Sequence, residues 1–155
     1  MAAVAFNVHS IGTVKCPVTE MSQGGWANID SEIHLEARYA RGLQELAGYS
    51  HLIVVFFLDR AQGFDPARQL LRRPRGMEDM HEVGVFAQRT KYRPNPIGVT
   101  AVKLLGVADN IVRVRGLDAL DGTPVLDIKP YIPPFDRVDD VTMPPWVSHV
   151  MDGYF

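Results

Sequence analysis

Arg93-Pro94-Asn95-Pro96 lies between two apolar runs and constrains this chain more than any other stretch. Proline fixes its own φ, has no N–H to donate and pushes the preceding residue out of the α region. Arg93 and Asn95 each precede a proline, so both are held extended. The segment is neither helix nor central strand. It reads as a stiff turn, and residues 83–88 and 97–107 read as the strands that flank it. Arg89, Lys91 and Arg93 stand around the turn with the Asn95 amide. That set suits a polar, anionic ligand. A proline-stiffened turn with solvated arginines fits the same residues.

A second turn follows at Asp121-Gly122, leading through Thr123-Pro124 into Val125-Leu126-Asp127-Ile128-Lys129-Pro130-Tyr131. Asp-Gly is a strong short-range turn signal. Strict alternation puts Val125, Asp127 and Lys129 on one face, with Leu126 and Ile128 on the other as the expected core face. Asp127 and Lys129 then form a pair on the polar face, which at the surface carries little energy.

The remaining pattern is mainly period two. Val4, Phe6 and Val8 alternate, and Ile11 and Val14 continue, which predicts an N-terminal strand broken near Ser10 to Gly12. Residues 29–35 alternate, and 52–58 form a continuous apolar run expected of a buried strand. Asp109-Asn110 signals a hairpin into residues 111–115. One short helix is predicted over 36–47, from Tyr39, Leu43 and Leu46, with Gly48 as its C-cap. Residues 59–82 form a long connection, and connections of that length are functional or mobile. The tail, 132–155, holds four of the eleven prolines. It is expected to be irregular and to wrap a neighbouring element or an adjacent subunit. The reading is a mainly β, small single-domain β-barrel spanning about residues 4–131, in one domain of residues 1–155.

A length of 155 residues is one domain's worth, long enough to bury a core. The net charge of −2 decides nothing, but its distribution does. Between Arg68 and Lys103 eight basic residues face three acidic ones, so a basic middle sits in an acidic chain. That fits a local polyanion-binding patch as well as scattered solvated charge. Arg72, Arg73, Arg75, Lys91 and Arg93 are the best phosphate contacts, Asn95 lies beside them, and Tyr92 could stack on a base. The lone Cys16 excludes an internal disulfide and any cysteine-cluster metal site. No apolar run approaches the ~20 residues of a membrane span. The N-terminus lacks a basic region followed by a long apolar one, so the expectation is a cytoplasmic protein without metal. No zinc-binding helix motif, nucleophile elbow, phosphate-binding loop or Gly-x-Gly-x-x-Gly turn is present.

Gly84-Val85-Phe86-Ala87 with Arg89, Arg93-Pro94-Asn95-Pro96-Ile97-Gly98, and Asp121-Gly122-Thr123-Pro124-Val125 running into Asp127-Ile128-Lys129-Pro130-Tyr131 resemble the TrmO family, also called TsaA-like. Tyr49-Ser50-His51-Leu52 is a looser match. The resemblance covers residues 11–131. It implies a homodimeric β-barrel that uses S-adenosyl-L-methionine to methylate the exocyclic nitrogen of adenine 37, modified with threonylcarbamoyl, in tRNA. It points to Gln23, Leu58, Asp59, Arg89, Val99, Gly122, Thr123, Pro124 and Val125 as the donor site. Two departures stand out: Met21-Ser22 precede Gln23 where Pro-Arg is common, and Asp59 stands where a histidine is common.

Methyl transfer from a sulfonium needs alignment, exclusion of water and a proton acceptor, and neither a metal nor a covalent nucleophile. Asp127 and Tyr131 are the candidates for handling the proton of a weakly nucleophilic amine. Lys129 could orient Asp127 or hold a phosphate. Two other readings remain at this point: the same donor site with a small-molecule acceptor, and an RNA-binding barrel without catalysis.

Overall fold

The computed structural model describes residues 3–155 except residues 22, 23 and 62. Eight strands follow in chain order: β1 (Gly12–Lys15), β2 (Asp30–Leu35), β3 (His51–Phe57), β4 (Leu71–Arg72), β5 (Val83–Gly84), β6 (Ile97–Ala108), β7 (Ile111–Arg115) and β8 (Pro124–Pro130). Among the described residues three short α-helices accompany them: α1 (Pro66–Gln69), α2 (Pro133–Asp136) and α3 (Trp146–Met151). Six strands close a barrel in the order β1-β2-β7-β6-β3-β8, and β4 pairs with β5 apart from it. Every pairing is antiparallel. Closure removes the unpaired edges that an open sheet would present.

Alternation fills the interior. Val14, Ile33, Leu52, Val54, Val112, Val114 and Val125 are fully buried, one or two from each of five barrel strands. The mainly β barrel expected from the sequence is the architecture observed.

Two bulges adapt the strands to closure. β6 pairs with β3 through residues 97–103 and with β7 through 103–108, and its register slips at residue 105. In β8, Val125 pairs with Phe56 while Asp127 pairs with Val55, so Leu126 is the extra residue. A bulge flips the alternation beyond it. The expected faces of β8 are therefore corrected: Val125 points into the core, Ile128 packs against the core, and Asp127 and Lys129 lie outside.

Other expectations change for local reasons. Val4, Phe6 and Val8 belong to no strand and are 64–83% exposed, because β2 and β8 already flank β1 and the closed sheet offers no edge. Residues 37–43 and 46–48 form 3₁₀ turns instead of an α-helix, interrupted by Glu45 at φ 70°. Gly48 lies inside the second turn and caps nothing. Val83–Gly84 is all of the strand expected over 83–88, and a 3₁₀ turn follows, with Val85 buried. The long connection holds α1, capped by Asp65, whose Oδ1 accepts from Ala67 N at 2.9 Å. The tail carries α2 and α3 rather than being wholly irregular.

Candidate functional site

The antiparallel arrangement gathers the two stiff turns. β3 lies between β6 and β8, so its end meets the start of both. Phe56 pairs with Gly98 on one side and Val125 on the other. A Cβ on Gly98 would stand 2.4 Å from the Phe56 ring, so the glycine makes the room that the buried ring fills. Leu58 N donates to Pro96 O at 2.7 Å, which joins the exit of β3 to the proline turn and leaves Asp59 beside it.

The second turn is tied down as firmly. Gly122, at φ 85°, donates its N–H to Val14 O at 2.8 Å, and Asp121 N donates to Val18 O at 2.8 Å. Asp121 Oδ1 accepts from Cys16 N at 3.1 Å. Arg60 was not anticipated from sequence. Its Nη1 donates to Thr19 O at 2.7 Å and its Nη2 to Asp121 O at 3.1 Å, strapping the first loop to this turn. Thr123 is buried and Pro124 half-buried. Burial raises the pKa of the Cys16 thiol nearby, so it stays protonated at neutral pH.

Arg89 completes this end of the barrel. Its Nη1 donates to Val99 O at 3.2 Å, on the half of β6 that β7 does not reach. The guanidinium is exposed, and so are Val99 and Ile97, at 45% and 40%. Lys91 Nζ lies 3.2 Å from Met21 Sδ, which brings the first loop against the arginine-bearing one. Leu58, Asp59, Arg89, Val99 and Gly122 to Val125 thus share one end of the barrel. Gln23 lies outside the described residues.

Asp127, Lys129 and Tyr131 line the outside of β8. Asp127 Oδ2 and Lys129 Nζ form a 2.6 Å ion pair, and Asp127 Oδ1 accepts from Ile128 N at 2.9 Å. The hydrogen bond and charge of Asp127 raise the pKa of the Lys129 ammonium, which leaves lysine a cation and a poor proton acceptor. Val99, Val55 and Asp127 occupy one cross-strand row, so Asp127 lies ~10 Å from the Val99 backbone, two strand spacings away. Tyr131 stands farther along, in a shallow depression of about 520 Å³ shared with Tyr49, His51 and Pro133.

The basic residues divide into two kinds. The Arg72 guanidinium stacks 4.0 Å from the Tyr92 ring centroid, and Lys91 Nζ lies 5.0 Å from it. That contact joins the long connection to the proline turn. Gln88 Nε2 supports it by donating to Arg72 O at 3.0 Å. Arg68, Arg72 and Arg73 line a second depression with Glu82. Arg93 and Arg75 are committed elsewhere. Arg93 Nη1 donates to Gln88 O at 3.1 Å and Thr90 O at 3.0 Å, closing its own loop. Arg75 Nη1 donates to Val150 O at 2.6 Å in the tail. Arg73 Nη1 donates to Glu78 O at 3.1 Å, and Asn95 O accepts from Ile97 N at 2.8 Å. Backbone carbonyls carry no sequence signature, so these commitments were not legible in the chain.

Among the described residues no cluster of three or more His, Cys, Asp or Glu could hold a metal ion, and no helix is long and apolar enough to cross a membrane.

Comparison with known proteins agrees with the geometry. An S-adenosyl-L-methionine-binding protein of Archaeoglobus fulgidus is 41% identical over 136 residues, covering 84% of this chain and 93% of that one. The tRNA (adenine(37)-N6)-methyltransferase of Escherichia coli is 34% identical over 151 residues, covering 89% of this chain and 63% of that one. The crystal structure of TrmO from Pseudomonas aeruginosa superposes with a TM-score of 0.75 at 28% identity, covering 93% of this chain and 62% of that one. This chain spans 59% and 35% of two further archaeal relatives. Residues 15–137 match the model of the tRNA-methyltransferase O N-terminal domain, and the chain belongs to that family.

Proposed function

We propose that the chain is an S-adenosyl-L-methionine-dependent methyltransferase acting on the exocyclic nitrogen of threonylcarbamoyl-modified adenine 37 of tRNA. The observation that carries this reading is the pairing of Phe56 with both Gly98 and Val125, which puts Arg89 and the Gly122 turn at one end of the barrel. The residues there fit such a donor. An exposed guanidinium suits a carboxylate, half-exposed Val99 and Ile97 suit a flat base, and the turn backbone can read that base's edge. The bound sulfonium supplies an activated methyl group and departs as a neutral thioether.

The chain's own residues hold the geometry. Arg89 binds the donor carboxylate. The backbone from Gly122 to Val125, with Leu58 and Asp59, orients the base. Asp127 receives the proton of the acceptor amine, since its oxygens have lone pairs left after pairing with Lys129 and Ile128 N. Arg68, Arg72 and Lys91 contact phosphate, and Tyr92 stacks beneath Arg72. The protein works as a homodimer in the cytoplasm. Exposed Ile97 and Val99 on the outer face of β6 support a second copy covering that face.

One observation favours a different acceptor for the same donor. Asp59 at the exit of β3 would repel a phosphate placed there. Calorimetry with S-adenosyl-L-methionine tests the donor site, and saturable binding is expected. Tritium transfer from labelled donor into tRNA lacking the methyl group tests the acceptor. Donor binding with no label in RNA would leave only the small-molecule reading.

A further inference from the structure

The carboxyl end of the chain turns back onto the first loop, and nothing in the proposed chemistry uses it. α3 packs against residues 75–81: His149 Nε2 is 2.8 Å from Asp79 Oδ2, Trp146 meets His81 edge to face, and Val150 O accepts from Arg75. The chain then bends at Gly153, at φ 65°, and reaches the loop. Gly25 N donates to Gly153 O at 3.0 Å and Trp26 N to Tyr154 O at 3.1 Å. The approach is close: a Cβ on Gly24 would lie 2.2 Å from Gly153 O.

One side chain anchors this contact. Tyr154 OH donates to Asp118 Oδ2 at 2.7 Å, and Thr100 Oγ1 donates to Asp118 Oδ1. Thr100 follows Val99, whose carbonyl carries Arg89. Asp118 therefore joins the tail, the first loop and the donor end of β6 through one carboxylate. Burial, then the charge of Asp118, raises the Tyr154 phenol pKa, so it stays a hydrogen-bond donor at any ordinary pH. The Arg75 guanidinium lies over the ring, 5.4 Å from its centroid.

We infer that Tyr154 is a positioning residue for donor binding. Its bond to Asp118 fixes Gly153 against Gly25 and Trp26, and thereby holds the far end of the loop whose near end Arg60 straps to the Asp121 turn of the donor site. This rests on the donor site proposed above. The loop is pinned at its other end by Arg60 and near its middle by Lys91. Tyr154 supplies a further attachment, where the loop enters the 3₁₀ turn Trp26–Asn28.

The test is Tyr154→Phe in the full chain, which keeps the ring over Arg75 and removes the hydroxyl. Two quantities are read: donor affinity by calorimetry, and hydrogen exchange at the Gly25 and Trp26 amides. Loss of a hydrogen bond to a charged partner is expected to weaken donor binding about tenfold and speed exchange at both amides by a similar factor. Exchange in β3 and β7 should stay unchanged, which a general loss of stability would not leave so. Methyl transfer should slow at low donor and recover at saturating donor. Wild-type exchange at Gly25 and Trp26 in the variant overturns the inference, and so does wild-type donor affinity. If the wild-type chain itself binds no donor, the donor reading falls, and with it the role given to Tyr154, while exchange still shows whether the phenol holds the loop.

Discussion

The donor end of the barrel and the basic connection after β3 adjoin in sequence, yet different bonds hold them. At the barrel end, backbone ladders do the holding: β3 is paired on both sides up to Phe56, and Gly122 and Leu58 are fixed by backbone bonds. In residues 59–82 the ladder is β4 alone, whose Leu71 and Arg72 pair with Gly84 and Val83 of β5. Side chains supply much of the rest, with Arg72 on Tyr92, Gln88 on Arg72 O and Arg75 on the tail. A ladder gives one rigid geometry. Long side chains reaching carbonyls give a segment that can adjust at small cost. The first suits a small ligand of fixed shape, and the second a flexible polyanion.

Phe56→Ala should break the rigid half most severely. Truncating a buried phenylalanine costs ~3–5 kcal/mol, and the cavity would open between Gly98 and Val125. Denaturant unfolding measures the loss, and donor affinity should fall with it. A cost under ~1 kcal/mol would mean that the two turns are not held through this ring.

Arg89→Ala separates binding from stability. Losing a charge-assisted contact is expected to weaken donor binding by ~1.5–3 kcal/mol, with an unchanged unfolding midpoint because the guanidinium is exposed. Equal donor affinity in variant and wild type removes the carboxylate assignment.

The basic segment predicts a finer contrast. Arg72→Ala should weaken RNA binding across sequences and reduce the salt slope by ~1, leaving donor affinity alone. Arg93→Ala should instead loosen residues 88–93, since Arg93 is bonded to Gln88 O and Thr90 O. Filter binding across a salt series, beside donor calorimetry, distinguishes the two. Identical profiles would erase the distinction between free and committed arginines.

The smallest effect concerns Asp30 and Arg115, a two-pronged surface pair across β2 and β7 at 2.6 and 3.0 Å. The hydrogen bond from Arg115 holds the Asp30 carboxyl below its ordinary value of 3.8. A depressed carboxyl contributes stability above its unfolded value and loses it as pH falls through the folded one. Asp30→Asn should therefore melt slightly below wild type at pH 7 and alongside it near ~pH 2. A gap that persists in acid would assign the effect to packing.

Much of this is legible in the sequence. Period-two patterning located β2, β7 and β8, because a strand with one buried face must alternate, and apolar runs located β3 and β6. Proline chemistry located the turn at residues 93–96, since a ring that fixes φ acts locally. Val4, Phe6 and Val8 misled for the complementary reason: alternation reports fitness for a sheet, and barrel closure decides whether an edge remains. The bulge at Leu126 was likewise invisible, because it arises from fitting β8 against β3. The partners of Arg60, Arg75, Arg93 and Tyr154 are carbonyls or a carboxylate brought near by folding; Tyr154 and Asp118 are 36 residues apart. Local sterics and hydrophobic period belong to the chain itself, so the sequence alone determined the strands and stiff turns. Convergence of Gly98 and Val125 on Phe56, and closure of the tail over Gly24, depend on contacts between distant residues, and only the tertiary structure decided them.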